Sequence, residues 1–276
     1  MTKHHDATAP EASRPAQRIA LTIAGSDSGG GAGIQADLRT FHQFGVFGTC
    51  AITAITAQNT TGVTAIHPVP IQHVRAQIDA VAKDLAPSAV KTGMLATAEL
   101  AIAAAAELRT HALQPYVMDP VMVATSGDRL LEPRAEQAFR DSLLPLSTLI
   151  TPNLEEAEIL TGFDVRSHDQ MARAARTLVE AGAGAALVKG GHLEGDPIDL
   201  LWDGKQERIW RHRRIETVHT HGTGCTLSAA ITASLALGLP LPQAVDRGIR
   251  FIARAIETAP GIGSGRGPVN HAAEID

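Results

Sequence analysis

The sequence predicts an α/β protein with a mostly parallel central sheet flanked by helices, and three observations carry that expectation. Short β-type runs alternate with helical segments along the chain, the pattern of βαβ units. Ala and the aliphatics dominate the apolar fraction, with only 3% aromatics, a mix that suits Ala-lined helices packed on a Val/Ile/Leu sheet. Polar or Gly-rich signals fall just past several strand ends, where an open parallel sheet gathers its ligand.

In chain order, Arg18 to Ala24 is the first strand, bounded by the Gly-rich turn Gly25 to Gly33. A helix follows, with Ile34, Leu38 and Phe41 on one apolar stripe. Thr49 to Ile55 is a second strand. Ile71 to Leu85 is a helix after Pro70, and Thr97 to Leu108 another with Thr97 as N-cap. Tyr116 to Asp119 is a strand that delivers a carboxylate at its C-terminal end. Leu149 to Thr151 is a short strand, and Asn153 to Leu160 a helix stopped by Gly162. Asp169 to Ala181 is a helix and Ala185 to Lys189 a strand, with Gly190-Gly191 as the turn after it. Asp199 to Asp203 and Gln206 to Trp210 form an antiparallel hairpin at the sheet edge. Helices from near Gly224 to Gly238 and from Leu241 to Thr258 complete the pattern.

The length of 276 residues suits one large α/β domain, and no linker divides it. We expect a disordered tail over 1–17 and a single domain over 18–276. The net charge of −5 gives no reason to expect nucleic acid or an anionic membrane as partner. Two cysteines, Cys50 and Cys225, exclude a disulfide framework. The polar start lacks the apolar stretch of a signal peptide. The longest apolar run, Leu227 to Leu239, contains Ser228, Thr232 and Ser234 and falls short of a membrane span. The expectation is a soluble, cytoplasmic protein with no membrane partner.

Two glycine-containing segments carry chemistry. The run from Gly25 to Gly33 has neither the Gly-Lys-Ser/Thr ending of a P-loop nor the spacing of a dinucleotide fingerprint. It is either a plain turn or a place where backbone approaches a ligand closely. His221-Gly-Thr-Gly-Cys225 directly precedes an apolar helix. Its successive N–H groups and the helix dipole suit the charge on a transferring phosphoryl group. Cys225 lies in the first helical turn. It reads as an ordinary buried cysteine or as a thiol lowered from roughly 8.5 and placed to accept a proton. A metal site built on His219, His221 and Cys225 leaves the glycines unexplained.

Seven blocks in order resemble the bacterial hydroxymethylpyrimidine/phosphomethylpyrimidine kinases of thiamine biosynthesis, within the ribokinase superfamily. They are Gly25 to Asp37 (GSDSGGGAGIQAD), Ala57 to Thr60 (AQNT), Lys91 to Met94 (KTGM), Asp119 to Met122 (DPVM), Thr151 to Glu156 (TPNLEE), Lys189 to His192 (KGGH) and His221 to Cys225 (HGTGC). The likeness runs from about Ile19 to His271. It implies a ribokinase-like three-layer α/β/α sandwich, usually paired as a homodimer. The implied activity is two successive transfers from Mg-ATP, first onto the alcohol and then onto the resulting phosphate.

By the same likeness, Gly222, Thr223, Gly224 and Cys225 are catalytic, with Cys225 in the place that related sugar kinases give to an Asp base. Gln58 reads the pyrimidine, and its amide is complementary to an aminopyrimidine edge. Gly25, Ala32, Asp37, Thr56, Met94 and Val121 line the substrate pocket. Asn153, Glu156, Lys189 and Thr223 meet ATP phosphates. Glu156 and Asp119 serve Mg²⁺ through water, since that ion keeps much of its hydration. Asn153 and Glu156 also read as a helix N-cap with a first-turn acid. The nearest rival is pyridoxal kinase, which shares the fold. A non-catalytic pyrimidine sensor is a more distant one, since it has no need of phosphate and metal apparatus.

Overall fold

The chain alternates strand and helix as the periodicity predicts, in a computed structural model that describes residues 17–122, 133–191 and 196–275. Residues 1–16 of the tail, and His192 of the Lys189 block, lie outside the described residues. The first half comprises β1 (Ile19–Asp27), α1 (Gly33–Gln43), β2 (Phe47–Asn59), β3 (Gly62–Pro68), α2 (Ile71–Leu85), β4 (Ala89–Thr92), α3 (Ala98–Thr110) and β5 (Tyr116–Met118). It continues with α4 (Pro133–Ala138), β6 (Leu149–Ile150), α5 (Leu154–Thr161), α6 (His168–Glu180) and β7 (Ala186–Lys189). The edge hairpin β8 (Ile198–Trp202) and β9 (Glu207–Arg211), then α7 (Thr223–Ala236) and α8 (Leu241–Glu257), complete it.

Among the described residues the strands form one nine-stranded sheet in the order β3-β2-β1-β4-β5-β6-β7-β8-β9. From β2 to β7 every neighbouring pair is parallel, and only the flanking pairs β2·β3, β7·β8 and β8·β9 are antiparallel. Strand alternation divides the apolar residues between two cores. Leu21, Val90, Met118, Ile150, Val188 and Leu200 pack with α2, α3, α5 and α6 through Val74, Leu100, Leu160 and Met171. Ala20, Ala89, Val117, Leu149, Leu187 and Leu201 pack on the other face with α1, α7 and α8 through Phe41, Ile231 and Ile249. Layers of helix, sheet and helix result, as expected.

Helix ends follow local chemistry. Pro70 precedes α2, the Thr97 side chain accepts from Leu100 N, and the Ser167 side chain from Gln170 N. Gly162, at φ 79°, closes α5.

Several boundaries differ from the sequence reading. β1 runs three residues further, through Gly25, Ser26 and Asp27, with a register shift between Ala24 and Ser26. The first part of the Gly-rich segment is therefore strand, and the turn starts at Ser28. β2 extends to Asn59 and turns back as β3, so Gln58 sits in a hairpin arm and not in an open loop. β4 escaped the sequence reading because its four wholly buried residues include Lys91. No helix among the described residues is long and apolar enough to cross a membrane.

Candidate active site

Thr22, Lys91, Asp119, Thr151 and Lys189 share one geometric origin. Each lies two residues beyond a core residue of the α1/α7/α8 face: Ala20, Ala89, Val117, Leu149 and Leu187. The period of two puts all five polar side chains on that same face, four of them at or just past the carboxyl ends of their strands and Thr22 level with Lys91 in the longer β1. The first turns of α1 and α7 cover them.

Two lysines are paired there. Lys91 Nζ donates to Asp37 Oδ1 at 2.7 Å, and Thr22 Oγ1 donates to Asp37 Oδ2 at 2.6 Å. Both members of the ion pair are 0% exposed. Burial alone lowers an ammonium, but Asp37 holds Lys91 above its ordinary value. Lys189 Nζ stands 3.4 Å from Asp119 Oδ1, which Thr151 Oγ1 approaches at 3.3 Å. The Ser228 hydroxyl, on α7, donates to Asp119 Oδ2 at 3.0 Å. A Cβ built on Gly224 stands 3.3 Å from Lys189 Nζ and 3.9 Å from Asp119 Oδ2. The α7 N-terminus therefore rests directly on this second pair.

Asn153 and Glu156 form a capping box at the start of α5. Asn153 Oδ1 accepts from Glu156 N, and Glu156 Oε2 from Asn153 N, each at 2.9 Å. Asn153 also bridges to Lys189 across the sheet end. Burial pushes the Glu156 carboxyl up to about 7, against the pull of Lys189, and Asp119 adds to the rise. Lys189 is held above its ordinary value by Asp119 and Glu156, although burial opposes this. These residues form one electrostatic unit.

The loop ahead of α7 begins with Gly222 at φ 78°, where a Cβ would collide with the Gly31 carbonyl oxygen. Only glycine serves there. The positions Gly222 to Cys225 precede the first helical hydrogen bond, Thr226 N to Gly222 O at 2.8 Å. Thr223 is an exception among the expected donors. Its N–H and its hydroxyl are both given to Thr220 O, at 3.2 and 2.7 Å.

Of the two readings of Cys225, the environment favours the unreactive thiol over the lowered one. Burial pushes it up to about 12, outweighing the pull of Lys91, and Asp37 and Asp119 add to the rise. The Gly33 N–H directed at the sulfur opposes this only in part. Cys225 is half-buried, beside the buried lysine.

On the Gly-rich side, Asp27 gathers the turn. Its Oδ1 accepts from Gly29 N at 2.8 Å, and its Oδ2 from Gly31 N and Ala32 N at 3.0 and 2.8 Å. Gly33, at φ 57°, brings its Cα so close that a Cβ would strike Gly25 O. A Cβ on Gly25 would strike Met94, whose carbonyl accepts from Thr53 Oγ1 at 2.6 Å. Thr56 Oγ1 donates to Ser26 O at 2.9 Å and lies 3.1 Å from Gln58 Oε1. Ser28 Oγ bonds both the Gln58 carbonyl (2.7 Å) and the Gln58 N–H (2.8 Å). Gly25, Thr56, Gln58 and Met94 are thus neighbours, and Ala32 lies against Gly222. Val121 folds back on Asp119, its N–H to that carbonyl at 2.8 Å.

Asp37 is not a pocket wall. It is wholly buried beneath the site, with both carboxylate oxygens engaged by Lys91 and Thr22. Sequence reasoning assigned no role to Asp27, Lys91, Thr151, His221 or Ser228. Lys91 had only a weak signal, a lysine directly after the apolar pair Ala89-Val90. Ser228 had none, because its partner is 109 residues away.

A profile of the phosphomethylpyrimidine kinase family matches residues 27–270. The hydroxymethylpyrimidine/phosphomethylpyrimidine kinase of Bacillus subtilis is 49% identical over 254 residues, covering 91% of this chain and 94% of that one. Among solved structures, a Clostridium difficile phosphomethylpyrimidine kinase superposes with a TM-score of 0.79 at 41% identity, covering 87% of this chain and all of that one. A Bacillus subtilis pyridoxal kinase in complex with ADP superposes with a TM-score of 0.88 at 39% identity, covering 94% and 98%.

Proposed function

The chain belongs to the phosphomethylpyrimidine kinase family, and from that premise we propose how its strand-end cluster phosphorylates a hydroxymethylpyrimidine and then its monophosphate. ATP is the phosphoryl donor, and the diphosphate formed serves thiamine biosynthesis. The observation that carries the site assignment is the Lys189–Asp119 pair held against Gly224 at the start of α7. Lys189, with the N–H groups of Gly222, Gly224 and Cys225, receives the phosphates. Stabilising the charge that spreads over the transferring group is the main task in such a reaction. Thr223 supports the loop through Thr220.

Gln58, with Gly25, Ala32, Thr56, Met94 and Val121, takes the pyrimidine. Gln58 presents its amide from the β2–β3 hairpin, where Ser28 fixes its backbone. Asp119 and Glu156 suit Mg²⁺: both are buried carboxylates, and Glu156 is raised first by burial and further by the charge of Asp119, which a divalent ion would offset. When bound, the ion neutralises phosphate charge. Asn153 orients Glu156 through the capping box. A homodimer is supported by apolar side chains left exposed on the same hairpin, Ile55 and Ile66, at 55% and 38%. The residues 18–276 act as one domain, and its place is the cytoplasm.

Cys225 takes the alcohol proton in the first transfer. The second acceptor is already an anion and needs little base. Because burial pushes the thiol up to about 12, the active thiolate is scarce at neutral pH. The first transfer should then climb roughly tenfold per pH unit above neutrality, while the second stays flat. Single-turnover assays with each substrate test this. Cys225→Ala slows the first transfer more than the second and removes its pH dependence. Equal losses on both substrates would contradict the role.

Pyridoxal is a second candidate acceptor, favoured by the likeness to pyridoxal kinase. Gln58 favours the aminopyrimidine. Weighing the products of parallel incubations with Mg-ATP separates the two.

A further inference from the structure

We propose that Asp27 and His221 form a positioning pair that keeps the acceptor-side turn in register with the phosphate loop. The proposal rests on the site assignment just given. His221 Nε2 donates to Asp27 Oδ2 at 2.8 Å, across 194 residues of chain, with side chains only 8% and 1% exposed. The same carboxylate collects the N–H groups of Gly29, Gly31 and Ala32. One side chain thus shapes the turn that holds the acceptor, and one ring joins it to the residue before Gly222.

The contact between the two segments leaves no slack. A Cβ on Gly31 would collide with the His221 ring, and one on Gly222 with the Gly31 carbonyl. A Cβ on Gly222 would also stand 3.3 Å from Ala32 Cα. Any shift of the ring therefore moves the turn relative to the phosphate loop. Burial alone would raise the Asp27 carboxyl. The hydrogen bonds from His221 and from the Ala32 and Gly29 N–H groups bring it below its ordinary value instead.

Each segment is also held by bonds of its own. His221 N donates to Gly267 O at 3.0 Å, and Val269 N donates to His221 O at 3.4 Å. On the other side Gly30 N donates to Asp27 O at 3.0 Å, Gln35 Oε1 accepts from Asp27 N at 2.9 Å, and Arg39 Nη1 donates to Gly30 O at 2.7 Å. Each loop is thus held by bonds that do not involve the imidazole. What the ring adds is their mutual position, and in-line transfer is sensitive to displacement on the ångström scale.

The test separates alignment from binding. In His221→Ala, the single-turnover rate of pyrimidine phosphorylation should fall about 10–100-fold, with dissociation constants for ATP and pyrimidine held within about twofold. The ratio of ATP hydrolysed to pyrimidine phosphorylated should rise, because water needs no alignment with the turn. His221→Gln, which retains an N–H donor, should recover part of the coupling. A wild-type ratio in His221→Ala would overturn the proposal. So would dissociation constants and melting temperature that worsen together while the transfer rate at saturation is unchanged, the signature of a merely structural contact. ATP affinity unaltered in Lys189→Ala would remove the phosphate-loop assignment, and this role with it.

Discussion

Lys91 and Lys189 end strands β4 and β7 on the same face of the sheet, yet their pairing differs. Lys91 is 2.7 Å from Asp37, both are sealed from solvent, and Thr22 completes the carboxylate. Lys189 is 3.4 Å from Asp119, remains 15% exposed, and shares that carboxylate with Thr151 and Ser228. The first pair is closed to solvent and has both carboxylate oxygens engaged, although burial still raises the Asp37 carboxyl against the pull of Lys91. The second has slack, a neighbouring Glu156 pushed up to about 7, and the glycine-lined start of α7 against it. A closed buried pair serves as framework, and an open one supplies charge that a ligand uses.

That contrast is broken most severely by removing a lysine. Lys91→Ala strands Asp37 in the interior and should cost about 3–5 kcal/mol of stability, read from the denaturant midpoint. Lys189→Ala should move that midpoint far less, since its carboxylate keeps two hydroxyl partners. Its kcat at saturating pyrimidine should instead fall about 10²–10³-fold. If the two variants lose stability equally and Lys189→Ala keeps its turnover, the distinction is wrong.

A smaller effect sharpens it. The folded-state pKa of Glu156, about 7, lies above its ordinary value of 4.5. Between those values the folded protein holds a proton that the unfolded chain has released. Its contribution to stability is therefore greatest below the unfolded pKa and is lost as pH rises through the folded one. In metal-free protein, denaturation midpoints taken from about pH 5 to about pH 8 should decline more steeply for wild type than for Glu156→Gln. Parallel curves would deny Glu156 its raised pKa.

The parts of the site legible in the sequence are those whose chemistry is local. The capping box of Asn153 and Glu156 is written in a four-residue spacing, and the glycines around Thr223 announce a loop before a helix. Asp119 was legible as a carboxylate ending a strand. The buried pairs were not, because Asp37 and Lys91 are 54 residues apart and nothing near either one names its partner. Asp37 therefore read as a pocket wall. Cys225 stayed open for a related reason. A helix N-terminus lowers a thiol, but burial raises it here, beside Gly33 of α1 and Lys91 of β4, and that environment is not local in sequence. The sheet itself was readable from the alternation of strand and helix runs, except for the hairpin arm β3 and for β4, half of whose residues are polar.

A structure with a non-hydrolysable ATP analogue tests the central claim most directly. The account predicts that Lys189 Nζ turns from Asp119 to a phosphate oxygen seated at Gly222 to Cys225, while Lys91 and Asp37 keep their contact. A triphosphate bound elsewhere, with Lys189 still resting on Asp119, would contradict it.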